Sequence, residues 1–343
     1  MTPSEIKASV KWVTDCRDKA DLEGALPFQI VMKSTSRYHE KLLFALHDAG
    51  LPACIAEGRL LKRYMGSLPW NSKNDPLDAK GIAHYACCRV TRLWSPFSPN
   101  ILKLRDLLRA RKSLKSKAIR LGNQLHALSH AHYTDKEIER SYRRLVKNIN
   151  REIKELEVVI LKLYRADKKL FDKAEPIIKD VKGFGFLTVI TVLAETNGLT
   201  SVNSRSQLAK YAGYDVVENS SGKFKGKAHI SKRGNKHIRV AMNMAAVGHI
   251  QHGVGNIQNA YQRGRERKPD IYKHGNVIVQ RKLLLLIYTL WTTGAIYDPH
   301  HLPAQCQPKA FSPSIEKESP PEQCPEVHGI AASEEALPIL TQL

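Results

Sequence analysis

The sequence predicts a mixed, mainly α protein built from a small α/β piece, a pair of long antiparallel helices and a helical C-terminal region. Three observations carry this. Residues 28–90 alternate short apolar runs with helical patterns. Two stretches between 104 and 163 keep a 3,4 apolar spacing. Residues 176–297 read as helices punctuated by glycine.

In order along the chain, residues 5–15 have the pattern of a short helix. Phe28–Met32 (FQIVM) is a continuous apolar run, as expected of a buried strand. Arg37–Ala49 carries Leu42, Leu43 and Leu46 at helical spacing and stops at Gly50. Pro52–Ala56 is a second short strand, Gly58–Met65 a helix, Pro69–Asn74 a polar loop and Asp78–Val90 a helix. Such alternation predicts a parallel sheet. Leu104, Leu107, Leu114, Ala118, Leu121, Leu125 and Leu128 then form one stripe, interrupted by Arg111. Ile138, Tyr142, Leu145, Ile149, Leu156, Val159 and Leu163 form the second, interrupted by Glu152. Joined near Ser129–Asp135, they predict an antiparallel coiled-coil hairpin or a dimerising arm. The third region has Gly183–Phe184–Gly185 at a tight turn, a polar loop over Asn219–Gly226 and a last helix ending near Trp291. From Asp298 the chain holds eight of its 17 prolines and reads as a disordered tail.

Charge narrows the class of partner. The 343 residues include 54 Lys+Arg against 33 Asp+Glu, a net of +21. Residues 298–343 carry −5, so residues 1–297 carry +26. A body so basic favours a polyphosphate partner, because lysine and arginine release counterions from nucleic acid. An ordinary solvated basic surface is the alternative. Composition excludes a collagen, a globally disordered chain and a disulfide-dense scaffold. The six cysteines have neither C-x-x-C nor zinc-finger spacing, which fits free thiols in a reducing cytosol. The longest apolar run, Leu283–Trp291, is too short to span a bilayer, so no membrane partner is expected.

Three segments carry candidate chemistry. In NDPLDA, Asp75 and Asp78 sit at i, i+3, which puts two oxygen ligands for Mg²⁺ on one helix face. Helix capping explains the same residues, and spacing alone prefers it. In DVKGFG, the turn of Gly183 and Gly185 suits backbone N–H contacts to a phosphate in the manner of a helix-turn-helix. An ordinary helix connection needs the same glycines. In Glu218–Arg239 a Ser–Gly pair lies among Lys223, Lys225, Lys227, Lys232, Arg233, Lys236 and Arg239. A hydroxyl among cations suits attack on a phosphodiester, or simply a basic loop whose serines bond phosphates.

These segments, NDPLDA-x-x-IA-x-YA, VKGFG-x-x-T, LAKYAGYDVVENSSG and ISKRGNKHIRVAMNMAA, occur in one order that resembles the DEDD-type insertion-sequence transposases (the IS-one-ten family). The likeness spans roughly residues 5–297. It implies a RuvC-like, RNase H-fold domain over residues 1–100, a coiled-coil hairpin over 101–175, a C-terminal transposase domain over 176–297, and the tail. It further implies DNA breakage and joining, four acids with Mg²⁺, a structured guide RNA, and a homo-oligomer, dimer or tetramer, acting on two DNA partners. Asp75 and Asp78 match the last two acids, and Ser221, before Gly222, matches the nucleophile, with Ser220 as its neighbour.

The sequence departs from that pattern in four places, one of them Lys182, before Gly183, where the family has a proline. Lys33 stands where the family has its glutamate, and Ser36 where it has a glycine. No strand of the G-I-D-V-S type precedes residue 28, so the first domain is expected to lack its opening strands and its first aspartate, leaving an open sheet edge. A cation at a ligand position weakens the expected Mg²⁺ site. A nucleic-acid-binding protein without strand chemistry is therefore the competing expectation, and a junction-resolving nuclease of the same fold a third.

Overall fold

The computed structural model describes residues 2–22, 28–69, 74–89, 92–218, 220–222, 224–226, 229–269 and 272–301. The polar loop over 69–74, Lys223, Lys227 and the tail beyond His301 fall wholly or largely outside the described residues.

The N-terminal piece opens with helix α1 (Pro3–Leu22), longer than its short apolar pattern suggested. Strand β1 (Ile30–Lys33), helix α2 (Glu40–Asp48) and strand β2 (Ala53–Ala56) follow. The strands pair in parallel with Ile30 against Ala53 and Lys33 against Ala56. A right-handed crossover through one helix is the usual way to join such strands. Leu43 and Leu46 of α2 bury their side chains with Leu51 and Ala53, and Trp94 packs on this cluster. After β2 come α3 (Gly58–Met65) and α4 (Asp75–Cys88), and α4 packs back on β1. The outer edge of β2 is partly closed by an antiparallel bridge from Cys54 to Leu93, with Trp94 N donating to Ala53 O.

The turn entering α2 holds Ser36 at φ +49°. That conformation costs a side-chain-bearing residue roughly 1–2 kcal/mol. Ser36→Gly is expected to raise stability by about 0.5–1 kcal/mol, since glycine's larger unfolded-state entropy returns part of the gain. Chemical denaturation measures it, and a loss of stability would contradict the strain.

Helices α5 (Pro99–Leu128) and α6 (Lys136–Ala166) form an antiparallel hairpin. Asn100 bonds Asp167, Arg111 bonds Glu157, and Leu125 lies near Arg143, so the register holds over the whole length. The stripe on α5 is the expected one. On α6 it is shifted: the sheltered positions are Tyr142, Val146, Ile149, Ile153, Leu156, Ile160 and Leu163. Ile138, Leu145 and Val159 are instead exposed. Two 3,4 series share Tyr142, Ile149, Leu156 and Leu163. The chain folds on the one that runs through Ile153 and leaves the charged Glu152 in water.

Ile101, Leu104 and Leu108 from one arm and Ile160 and Tyr164 from the other enter the main core. The core is completed by α7 (Lys168–Asp180), α8 (Phe186–Glu195), α9 (Arg205–Ala212), α10 (Lys236–His252), α11 (Asn256–Arg267) and α12 (Tyr272–Thr293). Helix α8 runs through its centre with Val189, Ile190, Val192 and Leu193 fully buried. Between α9 and α10 the polar segment is not an open loop. It is a short β-ribbon, in which β3 (Val216–Val217) pairs antiparallel with β6 (His229–Ile230), and β4 (Ser220–Ser221) with β5 (Phe224–Lys225). No described helix is long and apolar enough to cross a membrane.

Candidate nucleic-acid interface

The carboxylate pair sits at the start of α4. Asn74, rather than either aspartate, caps the helix, its Oδ1 accepting from Leu77 N at 2.9 Å. The helix therefore begins at Asp75, three residues earlier than its apolar pattern suggests, with proline in its first turn where a missing N–H costs nothing. Packing of α4 on β1 brings Lys33 Nζ to 3.8 Å from Asp78 Oδ2.

This arrangement does not fit a divalent cation. An ammonium group already neutralises Asp78 and would repel an incoming Mg²⁺, and Mg²⁺ needs near-octahedral oxygen ligation. Among the described residues no group of three or more His, Cys, Asp or Glu could hold a metal. Millimolar Mg²⁺ is accordingly expected to leave the thermal midpoint unchanged. Lys33→Glu should create a weak site, gaining on the order of 1.4 kcal/mol at tenfold excess over Kd. A shift in the unsubstituted chain would overturn this reading.

The glycine turn lies between α7 and α8. Gly183 has φ +92°, and a Cβ there would lie 2.6 Å from both Ala245 O and His249 N. Its glycine requirement thus arises from close packing of the turn on α10, beside a contact of His249 Nδ1 with Lys182 O at 2.7 Å. Gly185 is exposed at the N-cap of α8 with open space around its Cα.

Ser221 lies on β4 next to Gly222, whose φ of +54° turns the ribbon. Both serines of the pair are exposed. Lys225 belongs to β5, opposite Ser220. The ribbon's root is tied by Ser231 N donating to Asp215 O at 2.8 Å and by a side-chain bond between the same residues.

Next comes the segment Lys232–Arg233–Gly234–Asn235, fixed on the end of α9. Lys232 N donates to Gly213 O at 3.1 Å and Asn235 N to Tyr211 O at 2.8 Å. A Cβ on Gly234 would fall 2.4 Å from Tyr211 O, so only glycine allows this approach. Lys232 and Arg233 project from this platform exposed. Arg239, one turn into α10, donates from Nη1 to Ala212 O at 2.8 Å, so part of its donor capacity serves the fold.

Beneath the platform is a polar cluster that the sequence did not disclose. Glu195 is almost wholly buried. Arg109 grips it with two bonds, Nε to Oε1 at 2.8 Å and Nη2 to Oε2 at 2.6 Å. Asn235 Nδ2 donates to Oε2 at 2.7 Å, while Asn235 Oδ1 caps α10 by accepting from His237 N at 2.8 Å. Tyr211 OH donates to Glu195 O at 2.9 Å. Burial alone would raise the Glu195 pKa, but the bonds from Arg109 and Asn235 outweigh it and hold the carboxyl below its ordinary value. Burial, together with nearby Lys112 and Arg109, pushes His237 down. The one signal in the sequence is a carboxylate closing the apolar run FLTVITVLAE.

The basic face of α5 is partly consumed in the same way. Arg105, Arg109 and Arg111 each pair with a carboxylate, on Glu40, Glu195 and Glu157. The structure brings the ribbon, the platform and the Glu195 cluster together, and it joins Lys33 to Asp78.

Two family models match the chain. One described as a DEDD transposase of IS110 type covers residues 9–133, including Lys33, Asp75 and Asp78. The other, described as a transposase of the IS116/IS110/IS902 family, covers residues 175–262, including the glycine turn, the ribbon and the platform. Pilin gene-inverting proteins of Moraxella bovis and Moraxella lacunata are each 26% identical over 276 residues, spanning 78% of this chain and 81% of theirs. With matches on both sides of the hairpin and relatives that run across it, the chain belongs to the IS110 family of transposases and is a DNA recombinase by that membership.

Proposed function

We propose that this chain breaks and rejoins DNA strands with the Ser221 hydroxyl as nucleophile. The observation that supports it is an exposed serine beside the turn of a ribbon whose root is locked to a cationic platform. The hydroxyl oxygen attacks phosphorus, and an Oγ–P bond forms as one P–O bond to a deoxyribose breaks. The released sugar hydroxyl takes up the proton that the serine gives up. Attack by a second sugar hydroxyl on the same phosphorus reverses the step, rejoins the strand and frees the serine, so bond energy is retained in the covalent phosphoester. Lys232 and Arg233 hold the non-bridging oxygens and offset their charge. On this reading the N-terminal piece is RuvC-like, α5 and α6 form a coiled coil joining copies of the chain, a structured guide RNA selects the DNA, and the work is done in the cytoplasm.

The Lys33–Asp78 pair favours a second reading, in which the chain binds nucleic acid without strand chemistry. One experiment separates the two. The protein is incubated with DNA carrying the element's ends and candidate guide RNA, denatured in detergent, and examined for polypeptide attached to DNA. A covalent species mapping to the Ser220–Ser221 peptide supports strand chemistry. Salt-sensitive binding with no such species supports the second reading.

A further inference from the structure

We infer that a cleft between α3 and the platform is a track for a phosphodiester backbone. The inference rests on nucleic acid being the partner and adds a contact surface on the N-terminal piece. Arg59, Lys62 and Arg63 stand at i, i+3 and i+4 on α3, which places them on one helix face. The same helix buries Leu61 completely, which fixes that face outward. Across the cleft stand Lys210 of α9 and Arg233 of the platform, and the space between measures about 1120 Å³.

Charge and size both select the ligand. Of the two acids on the walls, Glu57 is paired with Arg59 at 2.9 Å, and Asp215, which accepts from Ser231, is outnumbered by Lys62, Arg63, Lys210 and Arg233. The volume exceeds the roughly 300–1,000 Å³ of small-ligand pockets, and Arg59, Lys62, Arg63, Lys210 and Arg233 give the walls an excess of positive charge. A polymer of phosphates matches both properties. The far wall is also rigid, since Gly234 and Asn235 are pinned to Tyr211. Asp215 leads directly into the ribbon, so a backbone lying in the cleft passes its root, on the order of 20 Å along the chain from Ser221.

The test compares three full-length proteins by fluorescence anisotropy across a salt series, with a 30-base-pair duplex DNA and an RNA stem-loop as probes. One is unsubstituted, one carries Arg59→Ala, Lys62→Ala and Arg63→Ala, and one carries Lys7→Ala, Lys11→Ala and Lys19→Ala on α1 as an equal loss of charge. The cleft variant is expected to bind at least one probe about tenfold or more weakly. Its plot of log K against log salt should flatten by about 2–3 on duplex DNA, or slightly less on RNA. The probe that loses affinity identifies which nucleic acid lies there. Equal losses in both triple variants, or no loss in either, overturn the cleft assignment. Should the α3 triple melt early, Lys210→Gln on the opposite wall, which has no part in the serine chemistry, should weaken the same probe and flatten its salt slope by about 1. Binding is read without strand breakage, so failure of the serine chemistry leaves this result intact. Salt-insensitive binding by the unsubstituted protein would also overturn the phosphate track, whereas no binding of either probe at any salt would reject nucleic acid as the partner.

Discussion

Ser221→Ala is expected to eliminate the DNA-linked polypeptide and to lower strand joining by about 10³-fold or more, as loss of a covalent nucleophile does. Its melting temperature should stay within the range of an ordinary surface change, about 0.5 kcal/mol, because the side chain is exposed. Ser220→Ala is the necessary companion. Neighbouring residues in a strand project to opposite faces, so only one of the two hydroxyls can share a face with a given phosphate. Loss on Ser220→Ala alone would move the nucleophile by one residue. A covalent species that survives both substitutions rejects serine chemistry, and DNA binding unchanged in both would show that the defect lies in bond making.

The second large effect is on stability. Glu195→Ala leaves the Arg109 guanidinium half-buried without its carboxylate and removes the acceptor that orients Asn235. Breaking such a pair costs about 3 kcal/mol, a fall in Tm on the order of 6–12 °C. Glu195→Gln should cost less, because it retains an acceptor for Asn235. The pH dependence has a definite sign. The folded-state pKa of Glu195 is depressed, so its contribution is fully present above the unfolded value of about 4.3 and is lost as pH falls through the folded value. The unsubstituted protein should therefore lose stability on acidification below about pH 4, and Glu195→Gln should lose less over the same interval. Parallel acid profiles for the two would refute the role given to this carboxylate.

Local patterns were legible wherever they filled an element. The boundaries of α3 match its apolar spacing, and the parallel pairing of β1 and β2 follows from their alternation with helices. The ribbon escaped notice because each of its strands has two residues and half of them are polar or charged. Too few side chains are buried there to leave a period of two. The shift on α6 arose because Val146 and Ile153 lie one place from Leu145 and Glu152, and both series satisfy a 3,4 rule. Of the candidate site, the order of motifs nominated Ser221, the platform cations and the acid pair, on which the proposed chemistry rests. The partner of Asp78 lies 45 residues away and that of Glu195 lies 86 residues away. Side chains that meet only through tertiary packing carry no mark in local spacing.

The hairpin has a mechanical consequence. Its buried anchors stop at Leu108 on one arm and start at Ile160 on the other, residues 109–119 still lie along α8 and α10, and the nine residues past Ile119 in α5 stand clear of the main core. At 1.5 Å per residue this is a cantilever about 14 Å long. A tilt of about 12° at its root displaces the tip by about 3 Å, the spacing of a single base-pair step. Whatever grips the tip therefore exerts torque on the helices packed around α8, at the foot of which Glu195 holds Arg109 and Asn235 together.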